Sequence, residues 1–181
     1  EELHLPPFEE AVKKGALTVM INSGEVNGIP GHRNKYLITD ILKNKWGFAG
    51  FTVSDWEDFI MLHKVAHTDS SVKMGIASAI NAGVDMSMVP NNPEYKTYCE
   101  LLKELVEEGA VSKKRIDDAV RRILRVKHHL NLFEKPTVNY SDYTEFNSKS
   151  HISKAYRAAT ESVTLLKNTE KGFLSLNQGE A

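Results

Sequence analysis

Three short β-prone apolar runs, each followed by a loop and then a helix-like pattern, constrain the fold of this chain more than any other feature. They lie at residues 17–21, 51–53 and 84–89, and their centres Met20, Val53 and Met86 are spaced 33 residues apart. That is the length of a strand plus a crossover helix. Three such units in succession imply a parallel sheet covered by helices, an α/β fold.

The segments between the runs support this. Residues 34–45 place Leu37, Ile38, Ile41 and Leu42 on one face of a predicted helix, with Gly47 as its left-handed cap. After the second run, Ile76, Ala77 and Ile80 precede a terminating Gly83. After the third, Asn92-Pro93 opens a helix whose buried stripe is predicted as Tyr95, Cys99, Leu102 and Val106, closed by Gly109. The lone Cys99 can form no intrachain disulfide and is expected to be a buried thiol. A further helix from Ser112 is expected to bury Ile116, Val120, Ile123, Leu124 and Leu130 and to turn its Lys and Arg residues to solvent. Residues 133–149, rich in Pro, Asn, Ser, Asp and Tyr, read as a linker. Residues 152–162 read as one more amphipathic helix, leading to a predicted strand at 162–166.

At 181 residues, 41% hydrophobic and 26% charged, the chain has the composition of a globular protein about one domain long. Its net charge of −1 gives no electrostatic reason to expect nucleic acid or an anionic membrane surface as a partner, and a neutral substrate fits better. No apolar run approaches the ~20 residues needed to span a bilayer. Glu1-Glu2-Leu3-His4 carries neither an initiating Met nor a signal pattern, so the chain is expected to begin inside a longer protein.

In a parallel βα architecture the reacting groups belong at the carboxyl ends of the strands. The second run ends in Thr52-Val53-Ser54-Asp55-Trp56-Glu57-Asp58, which puts an acid, an indole and two more acids at that rim. Sugar chemistry uses such a set: an ionised carboxylate attacks or stabilises the anomeric carbon while an aromatic face packs on the pyranose ring. The spacing alone equally suits a Ser or Asp that caps the next helix, with Glu57 and Asp58 favouring the helix's positive end.

A longer pattern separates these readings. Val19-Met20-Ile21-Asn22-Ser23-Gly24-Glu25-Val26-Asn27-Gly28-Ile29-Pro30, Asn34-Lys35-Tyr36-Leu37 and Trp46-Gly47-Phe48-Ala49-Gly50-Phe51-Thr52-Val53-Ser54-Asp55-Trp56 together resemble the nucleophile region of family 3 glycoside hydrolases. The resemblance continues through Ala82-Gly83-Val84-Asp85-Met86, the helix at 116–132 with Leu132-Phe133-Glu134, and the block 155–168.

It implies the C-terminal part of a (β/α)8 barrel domain over residues 1–132, with parallel strands near 17–21, 51–54 and 84–88. A linker and connecting helix at 133–162 and the truncated start of a second, α/β sandwich domain at 163–181 would follow. The implied activity is retaining hydrolysis of terminal β-linked sugars, β-glucosidase-like, with β-xylosidase and β-N-acetylglucosaminidase as alternatives within the family. The block at 155–168 resembles the start of a second domain, which argues against a single-domain N-acetylglucosaminidase. A non-catalytic fragment is the alternative outside it, since half a barrel leaves its sheet edges unpaired.

By the same resemblance Asp55 is the nucleophile, Trp56 lines the sugar subsites, and Ser23, Glu57 and His32 are candidate substrate contacts. The acid/base carboxylate and the family's Lys-His pair would lie in the remainder of the parent chain. The substrate is an oligosaccharide or other glycoside, no cofactor is implied, and secretion or a periplasmic location is expected.

One departure stands out. Many members carry tyrosine at the position of Ser23, and Ser23 as a shorter donor, or Asn22 or Glu25, are candidates to take over its hydrogen bond. Among the other residues, His32 sits on a rim loop, where a structural role competes with a sugar contact. Asp85 reads as structural or as a residue just behind the substrate contacts. His63 and His67 share a helical spacing but have no Glu between them, so solvated or capping histidines are favoured over a metal pair. His128-His129 suit a helix C-terminus.

Overall fold

The computed structural model of the protein describes residues 2–91 and 93–167. It divides into two units, Glu1–Glu134 and Lys135–Ala181. In the first, α1 (Pro6–Lys13) leads to β1 (Thr18–Met20), then to a short hairpin of β2 (Glu25–Val26) and β3 (Ile29–Pro30). A 3-10 turn at Gly31–Arg33 precedes a helical segment at Tyr36–Lys45 and β4 (Phe51–Trp56). Next come α2 (Asp58–Lys64), α3 (Val72–Ala82), β5 (Met86–Met88), α4 (Glu94–Glu107) and α5 (Lys113–His129).

The three expected strands form one parallel sheet in the order β1-β4-β5. Thr18, Val19 and Met20 pair with Phe51, Thr52 and Val53, and Val53 in turn pairs with Met86. Thr52 and Ser54 of β4 are fully buried on the side of the helices. On the other face Met20, Val53 and Met86 stand in register, and Met20 is 53% exposed.

The core joins Ile21 and Ile38 to Phe59 and Leu62 of α2, Ile76 and Ile80 of α3, Val84, Leu105 and Val111. Close packing of α2 on α3 requires Gly75, because a Cβ there would run into the carbonyl of Phe59. Gly47 and Gly83 take the left-handed conformation expected of them, at φ 67° and 116°.

The first predicted helix winds differently: Tyr36–Lys45 is a π-helix. Its i→i+5 pattern turns Lys43 into the interior with Ile38, five residues earlier, whereas in an α-helix residues five apart point well away from each other. Lys43 thereby reaches Asp85 at 2.7 Å and the carbonyl of Gly83 at 2.6 Å.

Asp85 is the structural residue expected. Its side chain has no exposed surface and accepts from Lys43, from the Thr52 N–H at 2.8 Å, from Thr52 Oγ1 at 3.1 Å and from Arg115. The Thr52–Asp85 bonds run across the β4–β5 pair, while Lys43 and Arg115 bring in the π-helix and α5.

Several faces are rotated from expectation. On α4 the buried side is Leu105, with Tyr98, Leu101, Leu102 and Val106 packed against the core, whereas Tyr95 and Cys99 are exposed. Two apolar stripes overlap on this helix, and the stripe nearest the core wins. Asn92 lies outside the described residues. On α5, capped by Ser112, Ala119 and Val126 are buried, Ile116 packs on the core, and Val120, Leu124 and Leu130 are about half exposed.

The lysines of α5 and Arg121 are exposed as expected, but three of its arginines reach back to the protein. Arg122 donates to the carbonyls of Phe48 and Gly50 at 2.7 and 2.9 Å, Arg125 to Ala49 at 2.9 Å, and Arg115 to Ile80 and Val84 at 2.9 and 3.0 Å. They satisfy carbonyls at the start of β4 and before β5 that have left regular structure.

In the second unit, a 3-10 turn at Tyr140–Asp142 precedes α6 (Lys149–Ser162), which Ser148 caps by accepting the His151 N–H at 3.2 Å. The helix begins three residues before the predicted 152, at its cap. The strand expected at 162–166 is not formed: Ser162 is helical and 163–167 adopt no regular element. No segment among the described residues offers it a ladder. The rest of the predicted second-domain start, 168–181, lies outside the described residues.

The buried cluster predicts a pH dependence. Burial pushes Lys43 down to about 8 from 10.5, outweighing the Asp85 carboxylate, and Arg115 and Arg122 add repulsion. Between these values the unfolded chain holds a proton that the folded chain releases. This group's contribution to stability is therefore complete above pH 10.5 and lost as pH falls through about 8. Thermal melts of Lys43→Met should show a weaker rise in stability across that window than the unmutated protein, and equal slopes would contradict the assignment.

Candidate active site

The site is assembled by the turns that leave β1 and β4. After β1 the chain bends at Asn22–Gly24, where Asn22 Oδ1 accepts the Gly24 N–H, so this side chain is spent on its own turn. Asn27-Gly28, with φ 52° and 76°, then closes the β2–β3 hairpin. Asn-Gly with both residues at positive φ is the favoured two-residue hairpin turn, a signal present in the sequence but not used above. The hairpin returns the chain to the 3-10 turn that carries His32, which Arg33 anchors by donating to the Thr68 carbonyl at 2.7 Å.

At the end of β4 the register with β5 shifts: between the paired ends, two residues, Ser54 and Asp55, stand against one, Ser87. The extra residue forms a β-bulge at Ser54-Asp55, the kind of irregularity that re-aims a side chain beside a site. Asp55 is partly exposed there. Ser23 Oγ donates to its Oδ2 at 3.0 Å and the Trp56 N–H donates to its Oδ1 at 2.7 Å. These donors, the Trp56 amide first, hold its carboxyl below the ordinary aspartate value. The carboxylate is thus ionised, oriented and reachable from solvent. Ser23 makes the contact for which Asn22 and Glu25 were alternatives.

His32 stands beneath. Its Nε2 accepts the Asp55 N–H at 3.1 Å and its Nδ1 lies 3.2 Å from Asp58 Oδ2, without the alignment of a hydrogen bond. An Nε2 that accepts carries no proton, so the ring is neutral with its proton on Nδ1. Burial keeps it neutral by pushing its pKa down, against the pull of the Asp58 and Asp55 carboxylates. Of the two roles weighed for His32, this geometry favours the structural one: it is 2% exposed and both nitrogens face protein groups.

Trp56 is 55% exposed next to Asp55 and presents its indole to solvent. Glu57 follows in the left-handed conformation at φ 58°, its N–H donating to the Met88 carbonyl at 2.8 Å and its carboxylate accepting from Asn91 Nδ2. Asp58 opens α2 and turns inward to His32. Ser23, Glu25, His32, Asp58 and Met61 line a cavity of about 200 Å³ beside the carboxylate.

Ser54 and Asn91 are not marked by the sequence as parts of the site, and Asp58, expected at the rim after β4, instead faces His32. Thr52 and Ser54 did carry a signal, as polar residues at alternate positions of an otherwise apolar strand. His63 Nδ1 lies 3.0 Å from the Asp69 carbonyl, and among the described residues no cluster of His, Cys, Asp and Glu could hold a metal ion.

Comparison with known proteins gives the following. The sequence profile of the glycosyl hydrolase family 3 N-terminal domain matches residues 1–126. A lysosomal β-glucosidase of Dictyostelium discoideum is 40% identical over 176 residues, covering 96% of this chain and 21% of that protein. A periplasmic β-glucosidase of Salmonella typhimurium is 35% identical over 174 residues, covering 91% and 22%. Among solved structures, a β-glucosidase from Listeria innocua, also solved in complex with glucose, superposes with a TM-score of 0.73 at 34% identity, covering 95% of this chain and 23% of that one. The chain spans about a fifth of the length of the curated relatives it matches.

The two donors on Asp55 make a prediction. Ser23→Ala removes one donor to the ionised form, so the Asp55 pKa should rise towards the ordinary aspartate value while Trp56 keeps it partly lowered. A carboxyl-carbon NMR titration reads this directly, and an unchanged midpoint would show that the Ser23 contact carries no weight.

Proposed function

The chain belongs to glycosyl hydrolase family 3, and from that premise we propose that it is part of an exo-acting, retaining β-glycosidase of the β-glucosidase kind whose nucleophile is Asp55. One observation carries the reading: Asp55 stands at the carboxyl end of a parallel strand, held ionised by two donors, with an exposed indole beside it. Each carboxylate oxygen accepts one of these bonds and retains a lone pair for attack.

The reaction runs in two displacements. Asp55 attacks the anomeric carbon as the glycosidic C–O bond breaks, and a carboxylic acid about 5–5.5 Å away protonates the departing oxygen. Water then attacks the glycosyl ester, giving its proton to that same carboxylate and releasing Asp55 with the configuration retained. The second carboxyl group belongs to the remainder of the full-length protein.

Trp56 packs on the apolar face of the sugar, Ser23 holds the nucleophile at the sugar's edge, and Glu57 borders the subsite. The substrate is a terminal β-glucoside of an oligosaccharide or other glycoside, supported by the β-glucosidases among the relatives.

Residues 1–132 form the C-terminal part of a (β/α)8 barrel. The three-stranded parallel sheet with Met20, Val53 and Met86 on an open face suits this role, since such positions fill a barrel interior. Residues 133–162 connect it to a second domain that begins at 163. The full-length protein acts outside the cytoplasm, secreted or periplasmic, as the periplasmic relative suggests; among the described residues no helix is long and apolar enough to cross a membrane.

In the full-length enzyme, Asp55→Asn should leave the fold intact and lower kcat by several orders of magnitude. Proton NMR of the first-formed product should show the β anomer, and an α product would overturn the retaining mechanism. Trp56→Ala should chiefly raise KM, by about tenfold, through the lost ring face, at a cost of about 1 kcal/mol or more; a loss confined to kcat would remove Trp56 from the sugar subsite.

A further inference from the structure

The bulge at the end of β4 interrupts the register at Ser54 and Asp55. Neither Ser54 nor Asp55 has a register partner on β1 or β5, because pairing stops at Val53 and resumes at Trp56. Side chains hold the Asp55 peptide on both sides of this break in register. The Asp55 N–H donates to His32 Nε2 at 3.1 Å, and the Asp55 carbonyl accepts from Ser54 Oγ at 2.8 Å. Ser54 Oγ in turn accepts the N–H of Met88 on the opposite strand at 2.8 Å.

We propose that His32 and Ser54 are positioning residues that together hold the Asp55 peptide at the break in strand register, and so set the direction of its carboxylate. The inference rests on the reading of Asp55 as nucleophile.

Both side chains are built to be rigid. Ser54 has no exposed surface and His32 is 2% exposed. The ring faces Asp58 Oδ2 at 3.2 Å on its far side and is set edge-on to Phe59, with centroids 6.2 Å apart and planes at 70°. The turn carrying it is tied to the α2–α3 connection through Arg33 and Thr68.

The two bonds act on opposite sides of one residue. With its N–H and C=O both held, the Asp55 backbone cannot rotate without breaking one of them, and its χ1 is then restrained by Ser23 and Trp56. A nucleophile displaced by about 1 Å can lose on the order of 100-fold in rate, so a device that fixes the peptide acts on turnover rather than on sugar binding.

Neither side chain reaches the substrate. Ser54 lies on the helix-facing side of β4, opposite the carboxylate, and His32 spends both nitrogens within the protein. A merely structural role would lower stability and leave kcat per folded molecule unchanged.

The test uses the full-length enzyme with Asp55→Asn, Ser54→Ala, His32→Leu and His32→Gln, reading kcat, KM and thermal midpoint on folded protein. Ser54→Ala and His32→Leu should lower kcat about 10- to 100-fold with KM little changed. His32→Gln, whose amide oxygen can accept the Asp55 N–H, should restore most of the loss. Unchanged kcat in Ser54→Ala, or a His32→Gln no better than His32→Leu, overturns the positioning role. If His32→Leu fails to fold, the Ser54→Ala result decides, since that change removes one buried oxygen only. Turnover at the unmutated rate in Asp55→Asn overturns the nucleophile reading itself. Loss there with unchanged Ser54→Ala overturns the positioning alone.

Discussion

A carboxylate with no exposed surface, Asp85, ties together the elements on which the site stands. It takes hydrogen bonds from the Thr52 amide and hydroxyl, from Lys43 and from Arg115, and so joins β4 to the residue that leads into β5, to the π-helix and to α5. A buried ion cluster is not by itself evidence of net stability, because desolvation offsets most of the attraction. Breaking one is another matter: it leaves an uncompensated charge inside, at a cost of about 3–5 kcal/mol. The cluster therefore specifies one arrangement of β4. Arg122 and Arg125 reinforce it by holding the carbonyls of residues 48–50 just before that strand begins. The strand so fixed is the one that ends in Asp55.

The two aspartates at this sheet differ in the way that separates structure from chemistry. Asp85 has every oxygen engaged and no surface, so nothing in solution can reach it. Asp55 has two donors, one per oxygen, and an open side. Donors without burial lower its pKa and leave lone pairs exposed, which is what attack on an electrophilic carbon requires. Beneath it the neutral His32 adds no charge to the site and serves the backbone.

The sequence carried the parallel sheet because period, length and caps agreed across three units: Met20, Val53 and Met86 do stand side by side. Gly47 and Gly83 closed their helices for the same reason. The faces of α4 and α5 were harder, since on each helix two apolar stripes lie close together. Only the position of the core decides that Leu105 is buried while Tyr95 and Cys99 face out. The arginines of α5 looked like solvated charge because carbonyls left over by distant loops are invisible along the chain. The π winding that brings Lys43 inward answers to Asp85, forty-two residues away. At the site, the family pattern named Asp55, Trp56 and Ser23, and the structure brings these three together. The bulge that aims Asp55, and the use of Ser54 and His32 to hold its peptide, depend on register between strands.

The central claim is that Asp55, and neither of its acidic neighbours, is the group that bonds to the sugar. Treating the full-length enzyme with an activated 2-deoxy-2-fluoro glucoside traps a slow glycosyl-enzyme ester, and mass mapping of its peptides, fragmented to single residues, locates the label. The account predicts one sugar on Asp55. A label on Glu57 or Asp58, with Asp55 unmodified, would contradict it.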